Sequence, residues 1–332
     1  MTETYLKEAV VTPVSEDGSG PGVSYGASSV QGWRSTQEDA HICLPSFDKN
    51  GSLWAVFDGH NGAEVAVFAS KRFPKLLKEN KNYKNRNYET ALKESFMALD
   101  DLLMNPQSIR ELVAIRQSYS KVPITKSTAP GIASGCTATV VLVKDGVLYC
   151  ANCGDSRSIL SRNGKAYPLS ADHKPDDDNE KRRIETAGGE VTSGRINYGI
   201  NVSRAFGDHL YKRNTTLAKD QQMVIAVPDV KKEKLRSVDN LMVLICDGVW
   251  NSVPNEDLIA YVNKRVAKKV KPLSRICEEI FKQILPTVMP IKGIVGKDNM
   301  TFLIVVFEAN DASMRTNSSR QSTAPKKFGL FF

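Results

Sequence analysis

The sequence is poor in the residues that carry soft-metal and redox chemistry: its 332 residues include six cysteines and four histidines. Six cysteines are too few for a disulfide scaffold, and Cys43, Cys136, Cys246 and Cys277 are widely scattered, so reduced thiols are expected. Cys150 and Cys153 form a C-x-x-C pair, but no second pair lies near it. It falls inside the strand-like run Leu148 to Asn152, which favours buried structural cysteines over a zinc site or redox pair. Also missing is any stretch near the ~18 uninterrupted apolar residues of a membrane helix. The longest apolar runs, such as Leu241 to Cys246, suit a buried strand, so no integral membrane segment is expected. Met1-Thr2-Glu3-Thr4 offers neither a signal-peptide start nor a Gly at position 2 for myristoylation. A soluble intracellular protein, cytoplasmic or nuclear, is the expectation. Charge of one sign is sparse as well: the net +8 is modest, and the last 23 residues carry +3 of it. That is no nucleic-acid signature. The densest basic cluster, Lys264, Arg265, Lys268, Lys269 and Lys271, has helical spacing and reads as a solvated face, with an acidic partner as the alternative. Finally, neither G-x-G-x-x-G after a strand nor G-x-x-x-x-G-K-[ST] occurs, which sets aside a Mg²⁺-nucleotide binding protein.

What is present divides the chain into three. Residues 1–22 include Ser15-Glu16-Asp17-Gly18-Ser19-Gly20-Pro21-Gly22, a run of turn formers expected to be a flexible arm, with Asp17-Gly18 a turn. Residues 310–332 lack periodicity and are expected to be a disordered basic tail. Residues 23–309 between them hold β-rich runs at Leu53 to Phe57, Thr137 to Val143, Val147 to Asn152, Leu241 to Cys246 and Thr301 to Phe307. Asp145-Gly146 and Asn163-Gly164 read as hairpin turns. Leu92, Phe96, Leu99 and Leu103 mark one helix face, and Val65, Phe68, Arg72 and Leu76 a second that Pro74 should kink. Asp176 to Asp178 before a basic stretch and Gly188-Gly189 frame a third helix. Hairpins mixed with helices predict an α+β fold of antiparallel sheets with helices packed on them.

The chemistry gathers at strand ends. Asp58 and Asp247 each precede a glycine and each directly follow a buried-strand run, while Asp298 stands just before another. Glu38, Asp39 and Asp155 sit in similar settings. If these ends converge, the acids cannot stay ionised unaided: two like charges about 4 Å apart repel by about 4 kcal/mol at an effective dielectric of about 20. They need cations or raised pKa values. Oxygen ligands without a Cys/His cluster favour Mg²⁺ or Mn²⁺ over Zn²⁺. Two such ions activate water for in-line attack, and phosphate esters are the natural substrate. Arg34 can fork onto a phosphate, and His60 is near enough to Asp58 in sequence to protonate a leaving group.

Those residues lie in motifs that resemble, in order, the metal-dependent protein phosphatase family (PPM, type 2C). They are Arg34-Ser35-Thr36-Gln37-Glu38-Asp39-Ala40, Val56-Phe57-Asp58-Gly59-His60-Asn61-Gly62, Ser134-Gly135-Cys136-Thr137-Ala138 and Asn152-Cys153-Gly154-Asp155-Ser156-Arg157. Ala171 to Pro175, Arg183 to Gly189, Ser203-Arg204-Ala205-Phe206-Gly207-Asp208, Cys246-Asp247-Gly248-Val249-Trp250 and Asp298-Asn299-Met300-Thr301 continue the series. The resemblance spans about residues 23 to 308. It implies a four-layer α-β-β-α sandwich, two antiparallel sheets flanked by helices, with a metal centre in a cleft at one end. By the same resemblance Asp58 bridges two Mg²⁺ or Mn²⁺ ions, Asp247 and Asp298 complete one, and the Gly59 carbonyl binds the other. Glu38 and Asp39 hold metal-bound waters, Arg34 binds the phosphate and His60 is the general acid. The implied reaction is hydrolysis of phosphoserine and phosphothreonine in phosphoprotein substrates, by a monomer, without a phosphoenzyme. Tyr211 to Val227 corresponds to a flap beside the cleft, where Lys212, Arg213 and Lys219 either meet acidic substrate flanks or are merely solvated. One position departs from the pattern: Asn251 stands where relatives carry an Asp that joins the acid matching Asp155 at a third metal. A weaker third ion is therefore expected, or Asn251 simply caps the helix near Pro254. A pseudophosphatase scaffold, the competing reading, would lack metal carboxylates, and this chain keeps Asp58, Asp247 and Asp298.

Overall fold

The computed structural model describes residues 5–308 apart from 122, 126–127, 287 and 289–294. The first strands are β1 (Tyr5–Val10), β2 (Val14–Gly20), β3 (Val23–Val30), β4 (Gly32–Arg34), β5 (Ala40–Asp48), β6 (Gly51–Phe57) and the two-residue β7 (Gly59–His60). Helices α1 (Glu64–Glu79), α2 (Lys81–Lys84), α3 (Tyr88–Leu103) and α4 (Pro106–Tyr119) follow. Next come β8 (Gly135–Cys136), β9 (Ala138–Lys144), β10 (Val147–Cys153), β11 (Arg157–Arg162), β12 (Lys165–Pro168) and α5 (Asp178–Thr186). Three short strands, β13 (Val191–Thr192), β14 (Arg195–Ile196) and β15 (Phe206–Gly207), lead to β16 (Asp229–Lys234) and β17 (Asp239–Ile245). The chain then forms α6 (Asp247–Trp250), α7 (Asn255–Ala267), α8 (Ser274–Ile284) and β18 (Met300–Phe307).

Two large antiparallel sheets result, ordered β16-β10-β9-β6-β5 and β12-β11-β17-β18-β3-β2. Both expected hairpins form. Asp145 and Gly146 have φ of 50° and 76°, and Asn163 and Gly164 have 53° and 76°, the left-handed pairs that match the strand twist. Every residue of β6 is buried, and its alternation divides them between two cores. Leu53, Ala55 and Phe57 pack with Phe68 and Phe73 of α1 and Phe96 and Leu99 of α3. Trp54 and Val56 face the cluster that holds Ile159, Val243, Phe302, and Leu258 and Ile276 of α7 and α8. Each fully buried side chain of this size contributes about 1.5–3 kcal/mol. The same alternation sends Cys150 and Cys153 of β10 into different cores, so the C-x-x-C pair shares no site. Both are free thiols, as expected.

Three expectations need correction. Residues 5–20 are not an arm: β2 pairs with β3 along its whole length, and β1 pairs with β4, which carries Arg34. Gly18 and Gly20 are there for close approach rather than for a turn, because a Cβ at Gly18 would meet the Tyr25 ring at 2.6 Å and one at Gly20 would meet Pro45 at 2.7 Å. Asp17 lies inside β2, where Oδ1 accepts from the Ser274 N–H (2.9 Å) and Oδ2 from its hydroxyl, at the start of α8. Second, α1, which runs through Pro74, buries Val65, Phe68, Phe73 and Leu77 rather than Arg72 and Leu76, and Arg72 turns outward to Glu111. Third, Asn251 does not cap α7, whose cap position is Pro254. The tail from 309 lies outside the described residues. No helix among those described is long and apolar enough to cross a membrane.

A buried ion pair ties the helices to the loop after β7. Glu64 at the start of α1 is fully buried and accepts from Arg116 Nε and Nη2 (2.8 and 2.6 Å), the Ser134 hydroxyl and the Tyr119 hydroxyl, and Arg116 also donates to the Asn61 carbonyl. Burial alone would raise the Glu64 pKa, but these donors hold it below the ordinary value. Replacing Arg116 by Met removes the guanidinium while keeping much of its apolar stem, and leaves an unpaired buried acid. The expected cost is about 3–5 kcal/mol, read as a lower urea midpoint at unchanged slope. A loss under about 1 kcal/mol would show that Glu64 takes up a proton or water at little cost.

Candidate metal and catalytic site

The two Asp-Gly steps open the site. Asp58 follows the last residue of β6 and Asp247 begins α6 directly after β17 and Cys246, one from each large sheet. Their glycines are required by backbone approach: a Cβ on Gly59 would overlap the Glu38 carbonyl, and one on Gly248 the Asn299 carbonyl. Those two contacts bring the Glu38-Asp39 and Asp298-Asn299 segments against the strand ends. Asn299 locks them together, its side-chain oxygen accepting from the Glu38 N–H (2.9 Å) and its amide donating to the Gln31 and Thr36 carbonyls (2.8 and 3.0 Å).

Two of the carboxylates expected to converge, Asp39 and Asp58, lie side by side, together with a cysteine. Ligand atoms of Asp39, Asp58 and Cys246 all lie within 4.8 Å of one another. Burial raises the Asp58 pKa well above the ordinary value, and the charges of Asp39, Asp247, Asp298 and Asp155 raise it further. Asp247 is raised in the same way, by burial and then by Asp298 and Asp155. Burial pushes Asp39 up to about 7, against the opposing hydrogen bond from Thr301 to its Oδ2 (2.6 Å). The other oxygen of Asp39, Oδ1, is buried with no hydrogen-bond partner. Crowded acids with an orphaned oxygen fit a hard divalent cation, which replaces repulsion by attraction and supplies the missing partner. Cys246, which the sequence reading left out of the cluster, stays a thiol: burial and the surrounding carboxylates raise its pKa, and its sulfur accepts from the Thr301 N–H at 3.1 Å.

Around this core Glu38 accepts from the Thr36 hydroxyl (2.7 Å) and the Gly62 N–H (3.0 Å). Arg34 Nη2 donates to Asp298 Oδ2 at 2.7 Å, with both side chains about a third exposed, so a guanidinium stands at the mouth of the acid cluster. His60 Nε2 lies 2.6 Å from Asp208 Oδ2. Burial alone would depress the His60 pKa, but the Asp208 charge and hydrogen bond more than offset this and leave it raised. The sequence contained Asp208 in a motif without giving it a task, because its partner lies 148 positions away.

The third-site residues are arranged differently. Asp155 is buried and already paired with Lys174, and the Trp250 indole N–H donates to the Asp155 carbonyl (2.8 Å). Asn251 Nδ2 donates to Asp247 Oδ2 at 3.2 Å. Two of the three flap cations are also engaged: Lys212 reaches both Asp100 oxygens (2.8 and 2.9 Å) and Lys219 pairs with Asp101, both acids on α3. Of the basic cluster, Arg265 pairs with Glu279 of α8.

The protein phosphatase 2C family model matches residues 23–286 of this chain. Probable protein phosphatase 2C 4 of Paramecium tetraurelia is 40% identical over 304 residues, which covers 91% of this chain and 97% of that one. Probable protein phosphatase 2C 21 of Arabidopsis thaliana is 36% identical over 339 residues, covering 93% and 94%. The crystal structure of a phosphatase from a pathogenic strain of Toxoplasma gondii has a TM-score of 0.70 over 90% of this chain and 96% of that one, at 22% identity, which shows the fold. These matches define the class, a hydrolase of the protein phosphatase type. The chain belongs to the protein phosphatase 2C family.

The raised acids make a test that needs no substrate. A carboxyl whose folded pKa lies above its unfolded value costs stability once pH rises past the unfolded value, near about 4, and through the folded one. At pH 8 without divalent ions, Asp58→Asn should therefore melt above the wild type, by about 2–4 °C for each ~1 kcal/mol of relieved repulsion. The rise in Tm on adding Mn²⁺ should shrink in the same variant. A variant that melts lower without Mn²⁺ and keeps the full Mn²⁺ shift would remove Asp58 from the cation site.

Proposed function

We propose that the chain is a protein serine/threonine phosphatase that hydrolyses phosphoserine and phosphothreonine by direct attack of water activated at a Mg²⁺ or Mn²⁺ centre of two ions. The observation that carries this reading is the convergence of Asp39, Asp58 and Asp247, all with raised pKa values, beneath the Arg34 guanidinium. The family's other relatives support the class of reaction. The layers are read as α-β-β-α, with the site at the end where β6 and β17 stop.

In this reading Asp58, Asp247, Asp298 and the Gly59 carbonyl would hold the ions, and Glu38 and Asp39 would hold ordered water beside them. When bound, the ions supply Lewis acidity and lower the pKa of water toward neutrality. The protein's own groups do the rest. Arg34, already oriented by Asp298, offers the phosphate parallel N–H donors, a geometry that positions it for in-line attack. His60 gives a proton to the departing serine or threonine oxygen. Asp155 and Asn251 would hold a weaker third ion, in competition with the Lys174 ammonium that Asp155 already binds.

The reading is checked by Mn²⁺-dependent release of phosphate from a phosphoserine peptide, abolished by chelation and restored by Mn²⁺. Asp58→Asn and Asp298→Asn should each retain under about a tenth of wild-type turnover at saturating Mn²⁺, a loss above ~1.4 kcal/mol. Full turnover in a chelator, or in either variant, would defeat the assignment. At the third position, calorimetry should show Asn251→Asp binding a further Mn²⁺ more tightly than wild type, and more tightly still when combined with Lys174→Met. Superimposable titrations for all three proteins would end the third-ion reading.

A further inference from the structure

His60 stands on a strand of two residues that has little hold on its own. The hold comes from a three-stranded sheet ordered β15-β8-β7, in which Gly59 pairs with Cys136 and Cys136 with Phe206, while His60 pairs with Gly135 and Gly135 with Gly207. Asp208 leaves this sheet next to Gly207. It is 1% exposed and adopts φ 52°, ψ 35°, a left-handed conformation that among side-chain-bearing residues Asp and Asn enter most readily. Its N–H donates to the Ser134 carbonyl at 3.0 Å. The Gly207 N–H donates to Asp100 Oδ1 at 2.9 Å, and Asp100 is fixed by Lys212, so the turn is anchored on α3. A Cβ on Gly135 would overlap Asp208 Oδ2, so only glycine leaves room for the carboxylate where it lies. Among the described residues that carboxylate has one side-chain hydrogen-bond partner, His60 Nε2, and the imidazole is a quarter exposed.

The geometry points to Asp208 as a positioning residue: its carboxylate holds the His60 ring through Nε2–H, so that Nδ1 is the nitrogen that meets the leaving oxygen. This rests on the reading of His60 as proton donor. In the step, the oxygen of water forms the new bond to phosphorus and the bond from phosphorus to the serine oxygen breaks with its electron pair on that oxygen. The serine oxygen takes the proton from Nδ1, and the ring keeps its other proton on Nε2 in the bond to Asp208. Without the carboxylate the ring is free to turn or to place its proton on the wrong nitrogen.

A merely structural Asp208 and a positioning one differ in a double-mutant cycle. Asp208→Asn is the variant of choice because Asn keeps the size and tolerates the left-handed backbone. Turnover of a phosphoserine peptide at saturating Mn²⁺ is measured for wild type, Asp208→Asn, His60→Gln and the double variant. Asp208→Asn should lower kcat by about tenfold or more with KM within about twofold, and should cost under about twofold further in the His60→Gln background. The loss should be smaller with p-nitrophenyl phosphate, whose leaving group needs little protonation. Nitrogen-15 spectra recorded at a pH where the imidazole is neutral should show its single proton on Nε2 in wild type and its redistribution between the two nitrogens in Asp208→Asn. Losses that multiply in the double variant, equal losses on both substrates, or an unchanged imidazole spectrum would each overturn the inference. A wild-type chain inactive on every phosphate monoester would remove the phosphatase reading itself, and this inference with it.

Discussion

Everything at the working end of this protein depends on holding several buried carboxylates closer together than they would stay by themselves. Asp39, Asp58 and Asp247 come from three separate chain segments, and each is made a weaker acid by burial and by neighbouring carboxylates, Asp298 among them in every case. A repulsion of a few kcal/mol is a large share of the stability of any domain, which is typically about 5–15 kcal/mol. It is sustained because Asp58 and Asp247 stand just past the ends of β6 and β17, core strands whose ladders and packing cannot be relaxed without opening a sheet. The strain is local and the support is global.

The contrast with the other buried acids identifies what the crowding is for. Burial opposes ionisation at Glu64 and Glu180 as well, yet hydrogen bonds from Arg116 hold Glu64 low, and Arg204 and Arg183 bring Glu180 down to about 2. Asp100 is likewise held at about 2 by Lys212 and His209. Each of these acids brings its own cation and clamps one element to another, α1 to α4, α5 to the 203–204 segment, α3 to the flap. Unlike these three, the central cluster gathers acids in excess of cations, with Arg34 on Asp298 and Lys174 on Asp155 at its margins. That excess is relieved either by the raised pKa values of the acids themselves or by a hard divalent cation, which their oxygen ligands fit.

Where the answer was local, the sequence carried it. The apolar runs ending in Asp58 and Asp247 fix two buried strands and the acids behind them, and Asp145-Gly146 and Asn163-Gly164 fix two hairpins, because turn chemistry and period-two burial act over a few residues. Where a distant partner decides, local rules pointed the wrong way. Glycines at 18 and 20 are turn formers by composition, but Tyr25 and Pro45 need the space, so the segment is a strand. Helical spacing put Arg72 on the buried face of α1, but Glu111 of α4 draws it outward and Phe73 and Leu77 fill that face. Lys212 was legible as a charge and not as half of an ion pair with Asp100, which is 112 positions away.

That last pair changes how the flap should be regarded. A lysine reaching for substrate must be free to move, whereas Lys212 is nearly buried, binds both oxygens of Asp100 and donates to the Ala205 carbonyl at 2.9 Å. Its charge is spent on fixing the 205–208 segment to α3. The same Asp100 accepts from the Gly207 N–H, so one carboxylate secures both the flap's base and the turn that aims Asp208 at His60. The flap's base and His60 are thus joined through the Lys212–Asp100 pair, the Gly207–Asp208 backbone and the Asp208–His60 hydrogen bond. Of the three cations of this segment, Lys219 keeps only a surface pair with Asp101, and Arg213 is exposed and without an ion-pair partner among the described residues, so neither is tied down as Lys212 is.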